Sequence, residues 1–264
     1  MWGTGAIYDH GAQLVEWTPA GHPGVLFLSR HARFEPGSAI RGGVPIVLPW
    51  FGAGLSGDRT PAHGFARLST WQLVAEHADA GGDAEVAYTL SSDEPRLRAD
   101  YRVILGRDLR VRLTVENTGD ESVRFEEALH TYLAVGDATR INLTGLDGAE
   151  YLDQAAPGGL VRARQQGDVS ITSEVDRIYD STAAVTIVDP SLQRTIEVSK
   201  RGSASTIVWN PWREKAAALA DFGDDEWRRM VCVESGNVRD AAVTLVPGQR
   251  HTLEVLISVC ATVC

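Results

Sequence analysis

Apolar and polar residues alternate with a period of two along most of this chain. In ADYRVILGRDLRVRLTVENTG, residues 99–119, Tyr101, Val103 and Leu105 alternate with polar neighbours. Gly106-Arg107-Asp108 turns the chain, and Leu109, Val111, Leu113 and Val115 alternate back. Side chains in a strand point to opposite faces in turn, so the pattern predicts a hairpin with one buried face. Residues 184–199 repeat it around Asp189-Pro190-Ser191. Further strands are expected at 12–17, 24–29, 69–77, 84–91, 123–135, 205–209, 230–234, 241–246 and 251–259. Helical periodicity is scarce. Asn210-Pro211 before WREKAAALA supplies an N-cap, a first-turn proline and good helix formers, which predicts a short helix near 211–220. A second short turn is expected to start at Asp224.

Many short strands separated by turn signals predict an all-β fold, a large antiparallel β-sandwich with one or two short helices. No linker, composition shift or repeat divides the chain, so residues 1–264 read as one domain. With 44% hydrophobic and 23% charged residues, disordered and fibrous classes are excluded. Charges interrupt every apolar run well before the roughly 18 residues of a membrane span. MWGTGAIYDHGAQ lacks a basic start followed by an apolar stretch, so no signal peptide is expected and the cytoplasm is the expected compartment.

The net charge of −10, with no basic cluster to offset it, argues against a nucleic-acid partner. Of 25 basic residues only Lys200 and Lys215 are lysines, which leaves two candidates for Schiff-base chemistry. Cys232, Cys260 and Cys264 are too few and too irregular for a disulfide framework. Cys260 and Cys264 have no neighbouring His, which argues against a zinc site there. GAGLSG at 52–57 matches a dinucleotide fingerprint, but Pro61 blocks the helix that should follow it, so it reads as a flexible loop.

Parity brings chemistry to one face. In VRFEEALHTYLAV, Phe125, Leu129, Leu133 and Val135 should face the core, so Glu126, His130 and Tyr132 share the opposite face. In RRMVCVESGN, Val231 and Val233 take the core side and leave Glu234 outside with Cys232. A His and a Glu from distant strands can then share one surface; a solvated His and a surface carboxylate are the plain alternatives. In IRGGVPIVLPWFG, 40–52, and PAHGFAR, 61–67, glycines and prolines would hold Arg41, His63 and Arg67 in fixed places. Each segment taken alone reads better as a packed turn with a surface Arg.

Together the strings RGGVPIVLPWFG (41–52), PAHGFAR (61–67), EEALHTYLAVGD (126–137), GLDGAEYLD (145–153), STIVWNPWREKAAALADFGDD (205–225) and VCVESGNV (231–238) resemble the hexose-6-phosphate mutarotases, or glucose-6-phosphate 1-epimerases, of the aldose 1-epimerase superfamily. They fall in the family's order and span almost the whole chain. The resemblance implies a galactose mutarotase-like supersandwich with its cleft on one sheet. It implies interconversion of the α and β anomers of a hexose 6-phosphate, with no metal and no organic cofactor. It further implies Glu234 as base and His130 as acid, and His63 near the ring oxygen. Arg41 and Arg67 would hold substrate oxygens including the phosphate, and Asp176, in its DRIY context, would hold sugar hydroxyls. Ala62 stands where some eukaryotic members carry Gln.

The implied chemistry suits these residue types. Ring opening takes a proton from the anomeric O1 and gives one to the ring oxygen O5; a carboxylate and an imidazolium can do both. The aldehyde then rotates about C1–C2 and the ring recloses with the roles reversed. The expected partner is a small sugar phosphate, and the expected state a monomer. Two other readings share the fold: a mutarotase of unphosphorylated aldoses, and a non-catalytic carbohydrate-binding protein. The latter needs neither His130 nor Glu234.

Overall fold

The hairpin expected from alternation forms as Arg96–Leu105 and Leu109–Asn117, joined in register from Leu105 opposite Leu109. The computed structural model describes residues 3–78 and 82–261. This hairpin lies within a nine-stranded sheet. Its strand order is Val169–Ser170, Asn142–Thr144, Val185–Asp189, Arg194–Arg201, Arg250–Ala261, Leu109–Asn117, Arg96–Leu105, Ala84–Asp93 and Gln72–Ala78. A second sheet runs Val161–Arg164, Glu150–Asp153, Val175–Asp180, Ser205–Asn210, Met230–Asn237, Glu127–Leu129 and Ile46–Val47, with Tyr132–Ala134 also paired to Met230–Asn237. Pairing in both sheets is antiparallel.

One apolar core joins the two layers. Tyr101, Val103, Leu113, Ile196 and Val255 from the larger sheet meet Leu129, Val208, Val231 and Val233 from the smaller. Each such side chain contributes about 1.5–3 kcal/mol on full burial, so the two facing layers specify the register strongly. Tyr132, Trp209 and Cys232 point the other way, into a smaller cluster with Phe27, Phe222 and Trp227. The face assignments made from parity at 123–135 and 230–234 therefore hold.

Some expected elements take another form. Residues 24–29 form no strand; Leu26 and Leu28 make only isolated bridges, to Leu133 and Gly42. Val25, Phe27 and Ser29 donate their amides to three separate segments, at Trp17, Tyr132 and Arg41, so no continuous ladder can form. The stretch 123–135 breaks into Val123–Phe125, Glu127–Leu129 and Tyr132–Ala134. The breaks fall where the Glu126 and His130 amides turn to the Pro49 and Pro45 carbonyls. Among the described residues there is one α-helix, Trp212–Ala218, and the turn expected after Asp224 is a 3₁₀ segment, Glu226–Arg229. The N-cap is Pro211 rather than Asn210, so the proline precedes the helix instead of opening it, and Asn210 accepts from the Trp212 amide at 2.9 Å. Residues 52–57 are turns and bends with no helix behind them.

The surface also corrects one expectation from the sequence. Arg102, Arg110, Arg112 and Arg201 come from three strands, yet they line one groove of about 530 Å³ on the outer face of the larger sheet, beside Lys200 and Glu254. Register built this basic cluster, since no run of the sequence contains it. No helix among the described residues is long and apolar enough to cross a membrane.

Candidate active site

The smaller sheet turns one face away from the core, and a row of side chains crosses it. Asp176 is opposite Trp209, Trp209 opposite Cys232, and Cys232 opposite Tyr132. Glu234 follows Cys232 on the same face, two residues along its strand. His130 sits where the chain leaves Glu127–Leu129, its ring stacked on Tyr132 with centroids 4.8 Å apart and planes at 10°. That stacking brings His130 Nδ1 to 3.4 Å from Glu234 Oε1. Both residues are buried, at 7% and 1% exposure. Among the described residues neither His130 Nδ1 nor Glu234 Oε2 has a hydrogen-bond partner.

Two glycine-containing loops wall this floor. Gly43 has φ +64, and a Cβ there would collide with the Leu14 carbonyl. Only glycine lets the chain lie this close, and the result fixes the origin of Arg41. The Arg41 guanidinium contacts Asp221 through Nε at 3.2 Å and an NH₂ group at 3.1 Å, and donates to the Tyr132 hydroxyl at 3.1 Å. In the second loop His63 itself has φ +65 and is followed by Gly64 at φ +76, where a Cβ would strike the Leu48 carbonyl. The His63 amide donates to Gly52 O at 2.7 Å, and the Gly52 amide donates to His63 Nδ1 at 3.2 Å. Nδ1 is thus an acceptor and the ring proton is on Nε2. Arg67 donates to Ala62 O at 2.8 Å, while its Nε is enclosed without a partner among the described residues.

Asp176 accepts from Gln154 at 2.7 Å, and Lys215 Nζ stands 3.7 Å from its other oxygen. The structure thus brings all six sequence-named residues, Arg41, His63, Arg67, His130, Asp176 and Glu234, around one face of the smaller sheet. It adds several that the sequence reading did not name. Asp221 neutralises Arg41. Gln154 braces Asp176, and Arg239 donates to Gln154 at 3.4 Å and to Gly54 O at 3.1 Å. Glu126, placed on the His130 face by parity, accepts from the Phe51 and Arg239 amides at 3.0 and 2.7 Å and so ties two loops together. Asp221 lay within the quoted ADFGDD string; nothing in the sequence pointed to Gln154 or Arg239.

Electrostatics separate the ionisable groups. Burial, then the neighbouring Asp176, pushes Glu234 well above the usual carboxylate range, with Arg67 opposing. Burial, then His63, Arg67 and Arg41, holds His130 well below the ordinary histidine value. His63 is depressed to about 3 by burial and by Arg67, Arg41 and Arg239. Asp176 is raised by burial, against the hydrogen bond from Gln154 and the charge of Lys215. Both members of the His130–Glu234 pair are therefore pushed toward their neutral forms. Closely placed acid and base groups with displaced pKa values mark proton-transfer sites.

His130, Cys232 and Glu234 also place three ligand atoms within 4.8 Å of one another. Cys232 is a free buried thiol, Cys260 is free and exposed, and Cys264 lies outside the described residues. Neither the outer arginine groove nor a groove of about 540 Å³ beside Trp50, Arg59 and Arg124 contains the His130–Glu234 pair. Convergence of ionisable groups, rather than cavity size, marks this as the candidate site.

Comparison with known proteins gives the family of the chain. The aldose 1-epimerase family model matches residues 4–258. The chain belongs to the aldose 1-epimerase family. A candidate glucose-6-phosphate 1-epimerase of Cenchrus ciliaris is 34% identical over 269 residues, covering 96% of this chain and 80% of that protein. One from Escherichia coli K12 is 34% identical over 228 residues, covering 85% and 76%. A crystal structure of a candidate mutarotase from Salmonella typhimurium superimposes with a TM-score of 0.87 at 28% identity, covering 97% of this chain and 87% of that one. Family membership makes the protein a sugar-directed epimerase on a mutarotase-type sandwich. The all-β architecture expected from strand periodicity is the one that this crystal structure shares.

Proposed function

We propose that the protein is a glucose-6-phosphate 1-epimerase, and that His130 and Glu234 move the two protons of the reaction. The observation that carries this reading is the 3.4 Å approach of a buried imidazole and a buried carboxyl, both pushed toward neutrality. The pair holds one proton. Passing it from Glu234 to His130 gives a carboxylate and an imidazolium with no exchange with solvent. Glu234 then takes the O1 proton while His130 protonates O5, and the pair returns to its neutral form as the ring opens. Burial disfavours the ion pair, so both transfers run toward the favoured state. Reclosure reverses the roles. O1 and O5 share one carbon, which suits two groups placed side by side. Each group is expected to contribute about 10²- to 10⁴-fold.

The remaining residues would bind substrate. His63, neutral with its proton on Nε2, would donate to the ring-oxygen region. Asp176, oriented by Gln154, would accept from sugar hydroxyls. Arg67 and Arg41 would hold phosphate. The whole chain would act as one catalytic domain, monomeric and cytoplasmic; sedimentation at working concentration tests the monomer. Exchange between anomers, followed by NMR with glucose 6-phosphate and with glucose, tests the activity. Preference for the phosphorylated sugar supports this reading. Equal rates favour the free-aldose reading, which the pairing of Arg41 with Asp221 would suit, because it leaves fewer free cations for a phosphate. No exchange of either sugar overturns both.

A further inference from the structure

Cys232 has no part in the proton transfers proposed above, yet its thiol shares a cluster with the two groups that do. The ligand atoms of His130, Cys232 and Glu234 all lie within 4.8 Å of one another, and all three residues are buried. Among the described residues His130 Nδ1 and Glu234 Oε2 have no hydrogen-bond partner there. Alternation along Met230–Asn237 puts the thiol and the carboxyl on one side, and pairing with Tyr132–Ala134 brings in the histidine.

We propose that this cluster is a binding site for a thiophilic divalent cation of the zinc class, and that its occupation switches the epimerase off. The proposal rests on His130 and Glu234 being the acid–base pair. An imidazole nitrogen, a thiolate and a carboxylate form a donor set that zinc takes at roughly 2.0–2.3 Å, with a fourth position left for water. Ligand atoms at those lengths stand roughly 3–4 Å apart, so closing on an ion asks for side-chain shifts of about an ångström. A thiolate and a carboxylate cancel the two positive charges, and a site without net charge is less costly to bury. Arg41 and Arg67 oppose the cation, so affinity must come from the ligand bonds. Magnesium and calcium seek six or more oxygen ligands and find one carboxylate here. As the metal binds, two protons leave to solvent, the one on the Cys232 thiol and the one held by the His130–Glu234 pair. The lone pairs on His130 and Glu234 that would carry substrate protons become metal bonds.

The test uses the whole chain, freed of metal with a chelator. Zinc should abolish glucose anomer exchange, the chelator should restore it, and equal magnesium or calcium should leave it unchanged. Cobalt(II) should give a near-ultraviolet thiolate-to-metal absorption band that zinc displaces. Cys232→Ala should retain exchange in metal-free buffer, lose the cobalt band and need at least ~10-fold more zinc for half-inhibition, because removing even an outer partner of a metal ligand costs about 10- to 100-fold. The zinc–cobalt competition needs no variant, so poor folding of Cys232→Ala leaves the test intact. No band together with unchanged exchange in excess zinc overturns the proposal and leaves the acid–base assignment standing. A band without inhibition overturns both. Equal inhibition of wild type and Cys232→Ala, or activity that zinc restores after chelation, overturns it as well.

Discussion

His130 Nδ1 lies 3.4 Å from Glu234 Oε1, with His130 in the break between Glu127–Leu129 and Tyr132–Ala134 and Glu234 within Met230–Asn237. A buried base this close to a buried acid can exchange its proton without water. Glu234→Gln keeps the shape of the side chain but removes the proton acceptor. It is expected to lower kcat and kcat/KM together, by about 10²-fold or more, with substrate binding nearly unchanged. NMR exchange rates together with a direct binding isotherm check both halves. A variant retaining more than about a tenth of wild-type exchange would rule Glu234 out as the base, given that expected effect.

The displaced pKa values set a pH profile. The active pair carries one proton, so activity ends when His130 gains a second or Glu234 loses the last. The acid limb should fall below the ordinary histidine value of about 6.5, because His130 is depressed. The alkaline limb should lie well above the usual carboxylate range, because Glu234 is raised. These limbs belong to the pair rather than to either residue. Free glucose is the right probe, since a sugar phosphate titrates near pH 6 itself. An acid limb centred on 6.5 would show that His130 is not held in its buried neutral form.

The same shift has a consequence for stability. The folded-state pKa of Glu234 is raised, so the unfolded chain releases this proton first. The residue's contribution to stability is whole below the unfolded value of about 4.3 and is lost as pH rises toward the folded value. Gln carries no such proton. Glu234→Gln should therefore be more stable than wild type at pH 7–8, with the difference shrinking toward pH 4. Urea midpoints at several pH values would show it. A difference independent of pH would mean that Glu234 is ionised in the folded protein.

Periodicity made the larger sheet legible because one of its faces is buried. Arg96–Leu105 and Leu109–Asn117 alternate against a continuous apolar partner, so the pattern and the register coincide. Val161–Arg164 could not be read that way: all four residues are exposed, and no core imposed alternation. Residues 24–29 misled for the opposite reason. Val25, Leu26 and Phe27 are apolar and buried, but their hydrogen bonds are divided among different segments. At the site, parity placed His130 and Glu234 on the face turned from the core, since each directly follows a core residue, Leu129 and Val233. Parity said nothing of Asp221, Gln154 or Arg239. Those lie in loops or at strand ends, where position depends on backbone turns and on partners far along the chain.

Asp176 offers a control on the binding site. It accepts from Gln154, and its free lone pairs would meet sugar hydroxyls present with or without phosphate. Asp176→Asn should raise KM for glucose and glucose 6-phosphate by similar factors and leave the pH profile unchanged. A loss confined to the phosphorylated sugar would move Asp176 from hydroxyl binding to organisation of the phosphate site through Lys215.

The phosphate assignment divides the two arginines. A protein of net charge −10 repels a dianion on average, so local cations must outweigh the global field. They can: at about 4 Å, with an effective dielectric of ~20, one pair is worth roughly 4 kcal/mol, whereas charges beyond a Debye length of about 8 Å are largely screened. Arg41 is already engaged by Asp221 and the Tyr132 hydroxyl. Arg67 donates to one carbonyl and keeps its Nε enclosed without a partner among the described residues, so its charge is the freer of the two. Removing one member of such a pair costs about 2–5 kcal/mol. Arg67→Ala should therefore raise KM for glucose 6-phosphate at least ~10-fold, and Arg41→Ala should raise it less. Glucose exchange should change far less in both variants, at unchanged melting temperature. Arg67→Lys should restore little, because an ammonium lacks the planar fork that pairs two phosphate oxygens. If both substrates suffered alike in Arg67→Ala, the arginine would be bracing its loop, and the free-aldose reading would take the place of the phosphate one.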